Sequence, residues 1–442
     1  MSEWQHARLI PVSGIGATKE AEARATSALL AVIAVVRDLS AAILGPIGAT
    51  KAKTALVDCY TEVIFKNSSS NARPDGLIQV TRGSATWTAL VEVKTGTATL
   101  DADQINTYWD IARTEGYDAV LTISNEIAPS PGTHPTPGLK VRSNSKTKVA
   151  HLSWPALLTA CEVIREHRGV DDPEQAWILG ELIRYLRHPN SGADPFDDMG
   201  PDWVSVRDGA RDKTLSKSDA SVAEVARRWD QLMRYTALRL EASIGETVAL
   251  QLPAAHKDPA ARLQHVIDQL ASTGQLDALL RIPNTAGDLD VQVDLRARRI
   301  TTSVSVTAPQ DRGAKARCTW IARQIDADAD GRIVVEAFPK RSNRSTSATL
   351  DAVRTDKDVL LGDEKREPGR FRLSISKDIG VARKTSKSAV GFIDSVVGQI
   401  TSFYGTVLED LTPWTPPAPR ITRQQPDVDP EPTHTPEDGW TA

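Results

Sequence analysis

Cysteine is scarce in this 442-residue chain: Cys59, Cys161 and Cys318 are the only three, far apart in sequence. They form no CxxC pair and no Cys/His cluster, which excludes a zinc finger, an iron–sulfur site and a disulfide framework, and leaves reduced, buried thiols. Long apolar runs are lacking too. The longest, residues 28–36, ends at Arg37 and Asp38, short of the ~20 residues that a bilayer span needs. The opening MSEWQHARLIPV has no basic stretch followed by an apolar one and a small-residue cleavage site, so no secretory signal is read and the cytoplasm is the expected location. Charge of one sign is also missing: 53 Lys and Arg against 57 Asp and Glu give a net −4, which by itself announces no polyanionic partner. The eight histidines are scattered and none pairs at metal-ligand spacing.

What is present is a folded composition, with 40% hydrophobic and 25% charged residues and a mean hydropathy of −0.30. At ~150 residues per domain the length suggests two or three domains. Residues 19–44 read as one Ala- and Leu-rich helix stopped by GPIG. Three strand-like segments follow, ALVDCYTEVIF, GLIQVTRG and WTALVEVKTG, the last two joined by a turn at Gly83 and Ser84. A helix over 101–115, the strand DAVLTISN, a Pro/Gly/Ser-rich loop over 128–146 and the strand VAHLSW complete an α/β order that implies a mixed sheet with helices on its faces. Residues 1–155 are therefore read as one domain. Helices over 154–168, 172–188 and 218–245 make 156–248 a helical connector. Residues 249–411 read as a second, α+β domain: the helix PAARLQHVIDQLAST, the hairpin DLDVQVDLRARRITTSVSVTAP, a helix around TWIARQI, the strands RIVVEAF and RFRLSIS, and a terminal helix. The last segment, 412–442, carries eight of the 26 prolines and five acids and is expected to be disordered.

The chemistry concentrates in residues 73–108, RPDGLIQVTRGSATWTALVEVKTGTATLDADQINTY. Asp75 opens one strand. Glu92 and Lys94 lie two apart on the next, so they project from one face, and pairing of the strands brings Asp75 to them. Two converging carboxylates suit a hard divalent cation such as Mg²⁺, which takes oxygen ligands and keeps waters, and an adjacent ammonium can orient or help deprotonate a water. Those are the parts needed for metal-assisted phosphodiester hydrolysis.

Through Pro74-Asp75 and Glu92-Val93-Lys94 the chain resembles the PD-(D/E)XK nucleases, and the pattern Gln104-x-x-x-Tyr108 on the following helix is similar to that of their RecB-like branch. The resemblance covers roughly residues 19–155. It implies a restriction-endonuclease-like mixed sheet, Mg²⁺ or Mn²⁺ held by Asp75 and Glu92, catalysis by Lys94, and nucleic-acid contact by Gln104 and Tyr108. It further implies an acid on the first helix. Glu22 is the choice, as a further metal ligand or metal-water partner, because it shares a helical stripe with Thr26, Leu29, Ile33 and Val36; Glu20, on a stripe with Ser27, Ala31 and Asp38, reads as more solvated. The resemblance implies a nuclease acting on DNA, with RNA as the alternative substrate, in a setting of antiviral host defence or DNA repair. No helicase motif or four-cysteine cluster accompanies it.

Other signals are set aside. GIGATK at 14–19 lacks the G-x-x-x-x-G-K-[ST] pattern and reads as a turn rather than a nucleotide loop. Asp326, Asp328, Asp330 and Gly331 open like a calcium loop, but Ala337 stands where a bidentate Glu is required. His151 reads as a structural histidine, and Trp320 and Phe338 as core residues. Between Val291 and Ser345 eleven basic residues face six acidic ones, a local +5. Arg296, Arg298 and Arg299 are its densest part and the candidates for phosphate contact, with Arg296 and Arg298 expected on one face of a hairpin and Arg299 on the other. A solvated face, a protein partner or a second copy of the chain are the other uses open to this region. The rival to nuclease activity is a noncatalytic nucleic-acid-binding or stress-response protein built on the same scaffold.

Overall fold

The computed structural model describes residues 5–6, 18–65, 72–128, 132–141, 144–325, 331–362, 366–380, 390–416 and 418. Most of the 14–19 turn, the Asp326–Asp330 acids and nearly all of the tail beyond Thr412 lie outside them. The chain is a mixed α/β protein with two sheets.

The first sheet contains β1 (Gln5–His6), β2 (Leu56–Thr61), β3 (Gly76–Arg82), β4 (Ala85–Val93), β5 (Ala119–Ser124) and β6 (Lys148–Ser153), in spatial order 1 to 6. The pairs β1–β2, β2–β3 and β3–β4 are antiparallel, whereas β4–β5 and β5–β6 are parallel. Helices α1 (Thr18–Val35) and α2 (Arg37–Leu44) precede β2, and α3 (Ala102–Thr114) makes the crossover from β4 to β5. Ile78, Val80, Val91, Val93, Leu121 and Ile123 pack on α1, α2 and two later helices, α4 (Trp154–Val163) and α5 (Pro173–Leu186). The alternate residues Leu77, Leu90 and Val120 pack on Tyr108, Trp109 and Ala112 of α3. β4 is thus buried on both faces, as a strand covered by helices on either side must be.

The single helix expected over 19–44 is two helices bent by 107°. Val36 is extended (φ −87°, ψ 100°), and the Arg37 N–H that would continue the first helix is taken by Gln175 Oε1 at 3.2 Å, a residue of α5. No single helix among the described residues is long and apolar enough to cross a membrane.

The expected connector divides between two cores. α4 and α5 belong to the first, while α6 (Trp203–Asp212) and α7 (Ala220–Ile244) belong to the second. α6 lies between the helices read over 172–188 and 218–245, in a stretch for which no helix is read from the sequence, and buries Val206 and Ala210. Along the seam Thr159 Oγ1 of α4 donates to Leu238 O of α7 at 3.2 Å, and Gln231 Nε2 of α7 donates to Ile127 O, just beyond β5, at 3.3 Å.

The second sheet is antiparallel throughout. It is built from β7 (Ala249–Leu250), β8 (Gln275–Arg281), β9 (Leu289–Asp294), β10 (Arg299–Thr307), β11 (Val334–Pro339), β12 (Thr346–Thr349) and β13 (Pro368–Asp378), in the order 12-11-13-10-9-8-7. Its buried alternation, Leu289, Val291 and Val293 on β9 and Ile300, Val304 and Val306 on β10, shares one core with α6, α7, α8 (Pro259–Thr273), α9 (Ala314–Ala322), α10 (Leu350–Thr355) and α11 (Phe392–Phe403).

Candidate active site

Gly76 pairs with Val91, so Asp75, one residue earlier, stands opposite Glu92 at the open end of the β3–β4 ladder. The Val93 N–H donates to Asp75 Oδ2 at 2.8 Å, which stitches that carboxylate to the residue between Glu92 and Lys94. Lys94 is held on both sides of its backbone: its N–H donates to Ile123 O at 2.8 Å, and its carbonyl accepts the Trp154 indole N–H at 2.8 Å. Trp154 is fully buried and has no place in the motif read from sequence. Its only signal there was its position at the end of VAHLSW.

The Lys94 ammonium lies 2.6 Å from Glu92 Oε1 and 3.8 Å from Glu22 Oε2. The stripe chosen on α1 holds, since Thr26, Leu29, Ile33 and Val36 are buried and Glu22 ends it at the site. Glu22 meets the ammonium, and the charge of Asp75 also reaches it. Glu20, expected to be more solvated, is half-buried and its Oε2 has no hydrogen-bond partner.

Glu92 is 1% exposed, and its second oxygen, Oε2, is enclosed without a hydrogen-bond partner. Burial first, and then the charge of Asp75, push its carboxyl up to about 7. Burial also raises Asp75 against the lowering effects of the Val93 N–H and Lys94, and it raises Glu22. Burial alone would lower the Lys94 ammonium, but its hydrogen bond to Glu92 and the charges of Glu92, Asp75 and Glu22 more than offset this and hold it above the ordinary value. Lys94 therefore stays protonated in the metal-free site, suited to orient a water or a phosphate oxygen rather than to remove a proton.

Among the described residues no group of three or more His, Cys, Asp or Glu surrounds one point as a finished metal cage would. Asp75 and Glu92 fit a divalent cation that keeps most of its waters, as Mg²⁺ does. The observation that favours this is Glu92 Oε2, a buried acceptor with no well-formed hydrogen bond that faces the Asp75 carboxyl.

Gln104 and Tyr108 sit beside the pair but do not both face outward. The Asp101 carboxylate caps α3 through the Gln104 N–H at 2.8 Å. Gln104 Nε2 donates to Tyr108 Oη at 2.9 Å, and Tyr108 Oη donates to Arg73 O at 3.1 Å. Tyr108 is 3% exposed, so it pins the turn that carries Asp75 and does not reach a polymer directly. Its phenol is pushed up, by burial first and by Glu92 second.

Two closures frame the site. Gly96 N–H and Asn125 Nδ2 both donate to Gly192 O, at 2.8 and 2.9 Å, bringing residues 191–194 over the ends of β4 and β5. Gly192 has φ +77°, and a Cβ there would lie 2.7 Å from Thr95 Cβ, so only glycine fits. On the other side Thr122, registered with Glu92 and with His151, hydrogen-bonds His134 Nε2 at 2.8 Å and His151 Nδ1 at 3.0 Å. His151 Nε2 contacts Glu126 O at 2.7 Å, and the Thr136 N–H donates to His134 Nδ1 at 3.1 Å. These partners assign both rings as neutral, and burial lowers each to about 4.

The C-terminal arginines take different roles. Residues 295–298 are a turn, not strand, so the expected alternation of Arg296 and Arg298 does not apply. Arg296 Nε and Nη2 donate to Ala210 O and Ser272 O at 3.2 and 2.8 Å, tying the ends of α6 and α8. Arg298 and Arg299 are exposed. Elsewhere in the basic run Arg317 is buried, bonding the carbonyls of Gln310, Arg312 and Pro368, and Lys315 pairs with Asp358 at 2.8 Å. Arg312 lies over the Trp414 ring at 4.8 Å. The local +5 is therefore not one continuous positive face.

No family model, curated protein or solved structure matches the chain.

Proposed function

We propose that the chain is a metal-dependent nuclease of PD-(D/E)XK type, hydrolysing phosphodiester bonds at the Asp75–Glu92–Lys94 site. The observation that carries the reading is the meeting of these three residues with Glu22 and Tyr108, from α1, α3 and the β3–β4 ladder, around a buried glutamate oxygen that lacks a partner. The order of helix, antiparallel three-strand meander, crossover helix and parallel strand supports it, being the order that the resemblance implies.

A divalent cation held by Asp75 and Glu92 would supply Lewis-acid stabilisation of phosphate charge and a more acidic water. The chain's own residues do the positioning. Asp75 is locked by the Val93 N–H, Lys94 offers its ammonium where substrate oxygens arrive, and Trp154 fixes the Lys94 backbone. Tyr108 and Gln104 hold the Asp75 turn in place.

The noncatalytic alternative has one feature in its favour: the Lys94–Glu92 ion pair satisfies Glu92 Oε1 without any metal. Soaking crystals with Mn²⁺ and incubating the protein with labelled single-stranded DNA, duplex DNA and RNA in Mg²⁺ separate the two. Anomalous density between Asp75 and Glu92 together with cleavage supports the nuclease; nucleic-acid binding with neither supports the scaffold.

A further inference from the structure

The second half of the chain holds a cavity of about 280 Å³ between α6 and the β9–β10 turn. Leu295 and Ile379 give it an apolar side, Trp203 an aromatic one, and Arg207, Arg211 and Arg298 its cations, three against the single carboxylate of Asp208. Trp203 is only half-buried. It lies on Phe392 with ring centroids 4.2 Å apart at 34°, an arrangement that holds the indole in place. Arg298 adopts φ +55°, which is uncommon for a residue with a β-carbon, and its carbonyl is tied by the Ile379 N–H at 2.9 Å. That conformation closes the four-residue turn between β9 and β10, where Arg299 pairs with Asp294, and it sets Arg298 at the cavity rim. The Arg298 guanidinium has no ion-pair partner among the described residues. Arg207 pairs with Asp208 at 2.9 Å, and Arg211 with Asp212 at 2.9 Å and more loosely with Asp208 at 3.8 Å, all within one turn of α6. Such exposed pairs are weak and give way to a better anion.

We propose that this cavity binds one nucleotide unit, with the base against Trp203 and the phosphate among Arg298, Arg211 and Arg207. A fixed indole offers any base a π-face, and guanidinium forks match phosphate oxygens in geometry as well as charge. The volume of about 280 Å³ sits just below the usual range for small-molecule sites, about 300–1,000 Å³, so no more than one unstacked nucleotide can enter. The same chemistry serves a single strand passing through or a free nucleotide acting as effector. The inference rests on the nucleic-acid reading of the chain but not on its chemistry.

The test is binding by the full chain in EDTA, so that no cleavage is required and a failure of the catalytic reading, seen only in hydrolysis, stays separate. Labelled oligothymidylate, the matching duplex and AMP are the probes. Single strand binding tighter than duplex is expected. Trp203→Ala should weaken single-strand binding about tenfold or more, with Trp203→Phe retaining most of it. Arg298→Gln, at an exposed position, should weaken it several-fold and reduce the salt slope by about 0.7. AMP that binds and competes with the strand assigns the cavity to free nucleotides as well; a strand that binds without AMP competition assigns it to polymer alone. Unchanged affinity and salt slope in both Arg298→Gln and folded Trp203→Ala, a preference for duplex, or no binding of any probe overturns the proposal.

Discussion

The Lys94 ammonium lies 2.6 Å from Glu92 Oε1, two residues back along the same chain, while Glu92 Oε2 is buried with no partner. The site is thus half satisfied. One oxygen has its cation, while the other faces the Asp75 carboxyl and the Tyr108 phenol without a well-formed hydrogen bond to either.

Glu92 is raised to about 7 from an ordinary 4.5, so the folded state prefers it protonated. Its stabilising protonation is fully present below pH 4.5 and is lost as the pH rises through about 7. The metal-free protein should therefore gain thermal stability at pH 8 on Glu92→Gln, and only the wild type should gain further from Mn²⁺. Melting curves in EDTA and in Mn²⁺ measure both. Equal pH dependence and equal Mn²⁺ response in the two proteins would remove Glu92 from the metal site.

The His134–Thr122–His151 chain titrates with the opposite sign. Both rings are lowered to about 4 from 6.5, so their contribution is present above pH 6.5 and lost as the pH falls through about 4. Hydrogen exchange, corrected for its intrinsic rate, should show the Thr136 amide protected at pH 7 and released near pH 4. Protection that persists at pH 4 would mean that the rings do not fasten this loop.

Arg296 and Arg298 should separate cleanly. Arg296→Ala removes a bridge between the carbonyls of Ala210 and Ser272 and should cost about 1 kcal/mol of stability, the order of a partly exposed charged hydrogen bond. The salt slope of nucleic-acid binding should not change. A lower slope in Arg296→Ala with unaltered melting would restore it as a phosphate contact.

Trp154→Phe keeps the ring in the core and deletes the donor to Lys94 O. Cleavage should fall about tenfold in kcat with KM held, since a small displacement of a positioned group carries a cost of that order. A change confined to melting temperature would make Trp154 a packing residue only.

How much of this could be read from residues alone varies with distance along the chain. Asp75, Glu92 and Lys94 are connected by strand alternation and one hairpin register, and Glu22 by a helical stripe, so short-range periodicity was enough to bring them together. The break at Val36 depends on Gln175, 138 residues beyond the N–H it captures, and no local pattern carries that. The Trp154 donor to Lys94 is equally remote. The shared face expected for Arg296 and Arg298 fails for a local reason: a four-residue turn at 295–298 interrupts the strand alternation that the expectation extends across it. α6 and β8 did carry readable signals, Val206 with Ala210 at helical spacing and Leu276, Ala278 and Leu280 in alternation, but loop-forming Gly, Pro and Asp residues before α6 masked the first.

The most direct measurement is single-turnover cleavage of labelled single-stranded DNA, duplex DNA and RNA by the wild type and Glu92→Gln, each in Mg²⁺, Mn²⁺ and EDTA. Cleavage of at least one substrate by the wild type, abolished by EDTA and reduced about a thousandfold or more in a folded Glu92→Gln, is the expected result, the variant removing a charge on which metal binding and transition-state stabilisation both depend. Wild-type rates in Glu92→Gln, cleavage that persists in EDTA, or no cleavage of any substrate under Mn²⁺ would contradict it.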